Sequence, residues 1–181
     1  MIHEQLGLNP WKPSVIRALK SVAHNVFSLG VAVYVTCASQ VYLPASLFLA
    51  VWLAITVNFM IDALGHSRRS DRPVRSWITH SVLTAPVWGG SIGFLTSCIV
   101  FALLQSVPSD EVLAFSVGLG VLLSYSHLLL DSLTEGGIFL GRGRMAITHF
   151  RNGNLLLNAL FSVLGILLAL AGLGQLQPIP F

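Results

Sequence analysis

The sequence predicts an all-α, polytopic membrane helix bundle with about five transmembrane helices and a polar site at their cytoplasmic ends. Three observations lead there. The first is composition: 54% of the 181 residues are hydrophobic and only 9% charged, with a mean hydropathy of +0.78, against about 25% charged residues in an ordinary soluble domain. The second is a set of five apolar runs, approximately Val26 to Leu43, Ala45 to Leu64, Val82 to Leu104, Val112 to Leu130 and Leu155 to Leu173. Each is close to the ~20 residues that cross a ~30 Å hydrocarbon core as a helix. The third is the placement of charge. If all five runs cross, every Lys and Arg falls on one side: Lys12, Arg17 and Lys20, then Arg68, Arg69, Arg72 and Arg75, then Arg142, Arg144 and Arg151. The other side carries Asp110 and Glu111. The positive-inside rule makes the basic side cytoplasmic, so the expectation is an integral protein of the plasma or inner membrane with its N-terminus inside and its C-terminus outside.

No linker long enough to separate domains interrupts the chain, and residues 1–181 read as one unit. Cys37 and Cys98 both fall in apolar runs without CxxC spacing, which argues against a thiolate metal or redox motif. The basic start followed by an apolar run has the outline of a secretory signal, and Thr36-Cys37-Ala38 is a weak cleavage-like match. His24, Asn25 and Ser28 continue a polar stripe through that run, so the first span reads as retained.

In chain order, Pro13 suits a first helical turn and Trp11 a membrane interface. Arg17, Ser21, His24 and Ser28 then recur at intervals of three and four, carrying polarity from the cytoplasmic surface into the bilayer. The second run ends in Asn58, Asp62 and His66, spaced four and four on one face, with Gly65 permitting close approach of another backbone or a ligand. The basic link that follows serves topology and attraction to anionic lipid through Arg68, Arg69 and Arg72. Arg75, close to Thr79-His80-Ser81, is the better candidate for gripping an anion, and His80 opens the third run. Small residues at Gly89, Gly93 and Ser97 and at Ser116, Gly120 and Ser124 form ridges on runs three and four suited to mutual packing.

The fourth run breaks the hydrophobic rule most directly, because Ser126-His127-Leu128-Leu129-Leu130-Asp131 places an imidazole and a carboxylate four apart on one helical face. A carboxylate in such a setting needs a metal, a cation or several donors. Thr134 and Glu135 extend the face. Then come Gly136 to Arg144, a glycine-rich basic loop able to wrap phosphate, followed by His149, Arg151 and several asparagines. The loop lacks P-loop spacing and lysine, which argues against Walker-type nucleotide hydrolysis.

The predicted topology puts His24, Asp62, His66, His80, His127 and Asp131 at one depth, and antiparallel helices can aim such side chains into a shared metal site. Asp131, with two oxygens, could bridge a pair of ions. Nitrogen and oxygen donors without thiolate suit zinc first, with manganese or iron as alternatives.

Thr79-His80-Ser81, the Ser126-His127-x-x-x-Asp131-x-x-Thr134 string and the early His24 resemble membrane-bound metal-dependent hydrolases, including the LexA-regulated bacterial inner-membrane family. Their small archaeal relatives are more similar still, sharing the Asn58-x-x-x-Asp62-x-x-Gly65-His66 and Thr134-Glu135-Gly136-Gly137-Ile138 styles of motif. The likeness covers His24 to about Asn158. That group is distantly similar to zinc phospholipase C and P1-type nucleases, whose helical sites include a His-x-x-x-Asp pair like His127 and Asp131. The bacterial pattern has a second acidic residue just before the position of Asp62; this chain has none, which argues against a full three-zinc site.

The expected function is therefore a metal-dependent phosphoesterase acting from the cytoplasmic face on a lipid-linked or membrane-proximal phosphoester. Its partners would be membrane lipid and a phosphate-containing substrate, with no nucleic acid. Asp62 or Glu135 would serve as base or metal-orienting group. Arg75, Arg142 and Arg144 would neutralise phosphate, and Asn58 would help to bind substrate. Two alternatives compete: a transporter or channel for an ion, or a non-catalytic scaffold stabilised by metal.

Overall fold

The computed structural model describes residues 13–39, 43–69, 72–141, 143–151 and 153–175, with side chains outside the description at 13–19, 43–46, 66–69 and 72–74. Among these, five helices carry most of the chain: α1 (Pro13–Ser39), α2 (Leu43–Gly65), α3 (Ala85–Leu103), α4 (Asp110–Ser132) and α5 (Leu155–Leu173). Each contains a segment long and apolar enough to cross a membrane. Pro13 opens α1 as expected, and α5 coincides with the fifth apolar run. Ser109 caps α4 by accepting from the Val112 amide, with Asp110 and Glu111 placed favourably in the first turn. Asn154 caps α5 by accepting from the Leu157 amide.

Two short antiparallel hairpins depart from the all-α expectation. The basic link forms β1 (His66–Arg69) paired with β2 (Arg72–Arg75), and the glycine-rich loop forms β3 (Ile138–Leu140) paired with β4 (Gly143–Met145). A further difference lies between β2 and α3. His80 does not open a helix; it sits in an irregular segment that ends where α3 begins at Ala85. That segment is tied down at both ends. The Ser76 amide donates to the Gly65 carbonyl at 2.7 Å, while Phe139 on β3 donates to the His80 carbonyl at 2.8 Å and accepts from the Val82 amide at 3.1 Å.

Small residues decide the helix packing. The two ridges meet as expected: a Cβ on Gly89 would run into the Gly120 carbonyl, and one on Gly93 into the carbonyl of Ser116, so α3 and α4 lie backbone to backbone. A second such seam joins α1 to α5, where Gly30 faces Gly165 and Gly165 faces the Val26 carbonyl. Beneath the polar end, Ala32, Leu53, Val57, Ile61, Leu119 and Leu123 form a buried core shared by α1, α2 and α4. Outward faces are apolar too. On α2 the exposed Phe48, Trp52, Ile55 and Phe59 follow one another at spacings of four, three and four, a stripe far too greasy for an ordinary water-facing surface.

Candidate metal centre

The polar end is assembled from α1, α2, α4, β2 and the 76–84 segment. His127 and Asp131 stand one turn apart on α4, as their spacing requires, and Asp62 projects from the last turn of α2. His80 reaches the same space because Gly65 has no side chain: a Cβ there would collide with Thr79 Oγ1 and the His80 ring.

Four donor atoms converge. His80 Nε2 lies 3.8 Å from Asp62 Oδ1 and 3.4 Å from Asp131 Oδ2. His127 Nε2 lies 3.6 Å and 3.4 Å from the same two oxygens. These separations exceed the ~2.7–2.9 Å of charge-assisted hydrogen bonds. They approach the roughly 3.3 Å that separates ligands held ~2.0–2.1 Å from a tetrahedral zinc.

The second nitrogen of each ring identifies the tautomer. Asn58 donates its Nδ2 to the Ala54 carbonyl at 2.9 Å, which turns Oδ1 toward His127 Nδ1 at 2.8 Å. An amide oxygen only accepts, so His127 Nδ1 carries the hydrogen. Thr79 donates Oγ1–H to the Ile61 carbonyl at 3.1 Å and lies 3.0 Å from His80 Nδ1, so that nitrogen also donates. In the neutral rings both Nε2 lone pairs then face two carboxylate oxygens. Burial pushes the His80 imidazole below its ordinary value, outweighing the attraction of the Asp62 and Asp131 carboxylates, and favours the neutral, ligating form. His127 Nε2 and Asp131 Oδ2 make no hydrogen bond among the described residues although both are buried. Acceptors turned on one another in an apolar bundle are unfavourable unless a cation lies among them.

The other oxygen of Asp131 is already occupied. Oδ1 accepts from Arg75 Nη2 at 2.6 Å and pairs with Lys20 Nζ at 3.0 Å, and His24 Nε2 lies 3.2 Å away. Those cations balance the charge on Oδ1, and His24, His127 and Asp131 form a second triad whose ligand atoms lie within 4.8 Å of one another, beside the triad of Asp62, His80 and His127. His24 belongs to this outer side: its Nδ1 donates to the Lys20 carbonyl at 2.9 Å, and its ring packs 4.7 Å from that of His127.

The residues singled out from sequence thus sort by position. Asp62, His80, His127 and Asp131 come together, and His24 flanks them. The side chain of His66 lies outside the described residues, as does Arg142. Arg75 grips an internal anion: besides Asp131 it donates Nη1 to the Gly137 carbonyl at 2.7 Å and to Thr134 Oγ1 at 3.3 Å, and it is buried. Gly136 leaves room for its guanidinium, and Gly137 adopts φ +57°, which presents that carbonyl. Asn58 holds His127. Glu135 is exposed at the surface, and Arg144 is exposed with its guanidinium 5.9 Å from the Phe139 ring centre. Sequence alone marks Lys20 only as topogenic charge, and its place one turn before His24 is the available signal for more. Thr79 as the partner of His80 has no signal beyond adjacency.

With this geometry in view, comparisons with known proteins add a family and no activity. No curated protein and no solved structure matches the chain. A family model described as "Protein of unknown function (DUF1286)" matches residues 19–130, more than half of the chain, and that stretch contains Lys20, His24, Asn58, Asp62, His80 and His127. The chain belongs to the DUF1286 family.

Proposed function

We propose that this chain is a membrane-embedded, metal-dependent hydrolase, a phosphoesterase acting from the cytoplasmic face on a lipid-linked or membrane-proximal phosphoester. The observation that carries the reading is the facing of four acceptor atoms from Asp62, His80, His127 and Asp131, two of them on imidazoles whose other nitrogen already donates. Their chemistry suits zinc, with manganese or iron as alternatives. A divalent ion bound there would supply Lewis-acid polarisation and a water acidic enough to react near pH 7.

The chain's own residues supply the rest. Asn58 and Thr79 orient the two imidazoles, the outer-shell role that tunes metal ligands. Arg75 and Lys20 balance the charge of Asp62 and Asp131, so a bound dication would leave the site with a surplus of two positive charges. That surplus matches a phosphoester anion. Asp62 is the one donor of the four that meets solvent, with its side chain 32% exposed against 0% for the other three. It is the carboxylate placed to accept a proton from an entering water, and the exposed Glu135 is not needed for that step.

Five apolar helices with hydrophobic outer faces support the membrane setting. The one-sided distribution of Lys and Arg supports a cytoplasmic N-terminus and an external C-terminus. Metal analysis of purified protein, with Asp131→Asn and His127→Ala beside it, tests the centre; equal metal content in all three ends the idea. Turnover of phosphoesters in metal-replete liposomes, lost in His80→Ala, tests the activity.

One observation favours ion transport as a second reading. The hydroxyls of Thr36, Ser97 and Ser116, in the opposite halves of their helices, are buried without hydrogen bonds among the described residues. Metal flux across vesicles that these three positions control would select transport over hydrolysis.

A further inference from the structure

The metal-side cluster is reached through a cleft of about 180 Å³ between α1 and α2. His24, Asn58 and Asp62 lie at its inner side, Ser21 and Asn25 line the α1 wall, and Ile55 and Phe59 line the α2 wall. A larger cavity of about 520 Å³ lies beside Trp77, Leu83 and Phe139, and its lining contains none of the four converging residues. The cleft therefore leads where the exposed edge of Asp62 points.

Its polarity changes along its length. Asp62 lies three residues from the end of α2 and Ile55 ten residues, so at ~1.5 Å per residue the cleft reaches about 15 Å inward from that end. That is about half of a ~30 Å hydrocarbon core. At the deep end Ile55 is 54% and Phe59 66% exposed, and both belong to the outward apolar stripe of α2. A water-borne substrate entering at the Ser21 and Asp62 end would leave these apolar side chains uncovered, whereas the chain of a bilayer lipid would lie along them. Size points the same way. At about 30 Å³ per water, the cleft holds the equivalent of roughly six waters: enough for a phosphate and a few attached atoms, with acyl chains left outside along the stripe.

Asn25 adds a chemical requirement. Its Oδ1 is buried without a hydrogen-bond partner among the described residues, and an unmatched buried acceptor is costly. A headgroup that carries an O–H or N–H donor beside its phosphate would satisfy it. We infer that the site takes a membrane-resident amphiphile, which enters sideways between α1 and α2 with its headgroup against Ser21 and Asn25 and its chain along Ile55 and Phe59. What happens to the lipid afterwards rests on the hydrolase reading; that it binds in this cleft does not.

The test is native mass spectrometry of the full chain released from detergent, which counts bound metal and bound lipid in one spectrum. The probes are oleoyl lysophosphatidic acid, which has a hydroxyl, a phosphate and one chain, and glycerol 3-phosphate, which has the same headgroup and no chain. The expected result is one lysolipid per chain, retained in a large excess of glycerol 3-phosphate. Asn25→Leu lowers binding about fivefold, the size of one net hydrogen bond. Phe59→Ser, a change at an exposed rim position that leaves the inward face of α2 intact, also lowers it, and serves if Asn25→Leu does not fold. Leu160→Ser, on the exposed face of α5, controls for adsorption and leaves binding unchanged. Displacement of the lysolipid by glycerol 3-phosphate at equal concentration overturns the inference, as does wild-type binding by the Phe59 variant. Lysolipid binding with this variant pattern in a protein that retains no metal upholds the cleft and removes the hydrolase.

Discussion

Asn58 and His127 are 69 positions apart in the chain, yet Asn58 Oδ1 and His127 Nδ1 meet at 2.8 Å. The amide is fixed in turn by its own helix through the Ala54 carbonyl. This contact sets which nitrogen of His127 faces Asp62 and Asp131, so one neutral side chain on α2 governs the donor set of α4.

Replacing Asn58 by Leu is therefore expected to lower metal affinity about 10- to 100-fold, the usual cost of losing an outer-shell partner, while helical content stays near wild type. Asn58→Asp, which keeps an acceptor toward His127, is expected to retain more metal than Asn58→Leu. Competitive titration against a chromophoric metal indicator gives both affinities, and equal affinity of Asn58→Leu and wild type would contradict the assignment.

Gly65→Ala places a methyl group against Thr79 and the His80 ring. Overpacking of this kind costs about 1–3 kcal/mol, and the segment carrying His80 has the least helix to resist displacement. The expected outcome is a lower melting temperature together with metal loss. A variant that melts lower but binds metal like wild type would show that His80 is not held by this contact.

Asp131 holds two cations as well as facing the imidazoles. Asp131→Asn leaves Arg75 buried without its carboxylate, which should destabilise the protein by about 3–5 kcal/mol. Adding Arg75→Met should restore some of that loss, because the unpaired charge goes with it. Thermal melts of the two single variants and the double variant form a cycle, and strict additivity would mean that the pair does not interact.

Gly165→Leu drives α5, a helix that supplies none of the four converging residues, away from the Val26 carbonyl and Gly30 of α1. Stability should fall while the metal content of the folded fraction remains that of wild type. Loss of metal in step with stability would tie α5 to the centre.

Much of this is legible in the sequence, and for identifiable reasons. The five long apolar helices follow from uninterrupted apolar runs of the length that suits a hydrocarbon core. His127 with Asp131, and Asn58 with Asp62, follow from a spacing of four on a helix. Facing ridges at Gly89 and Gly120 follow from small residues at the same spacing. The two hairpins are not legible, since they rest on backbone pairings in short basic or glycine-rich stretches that read as loops. Roles set by long-range contacts escape too. Arg75 looks like a binder of substrate because nothing local says that Asp131 and the Gly137 carbonyl lie across from it. Lys20 looks like topogenic charge for the same reason.

The uneven exposure of the four donors has a kinetic consequence. His80, His127 and Asp131 are sealed, and only the Asp62 carboxylate looks outward. An ion can then enter or leave by one doorway, past a single carboxylate that must let go before the ion can escape. Chelators added to the folded protein should strip it slowly, at a rate set by the parting of α1 and α2 and largely insensitive to chelator concentration.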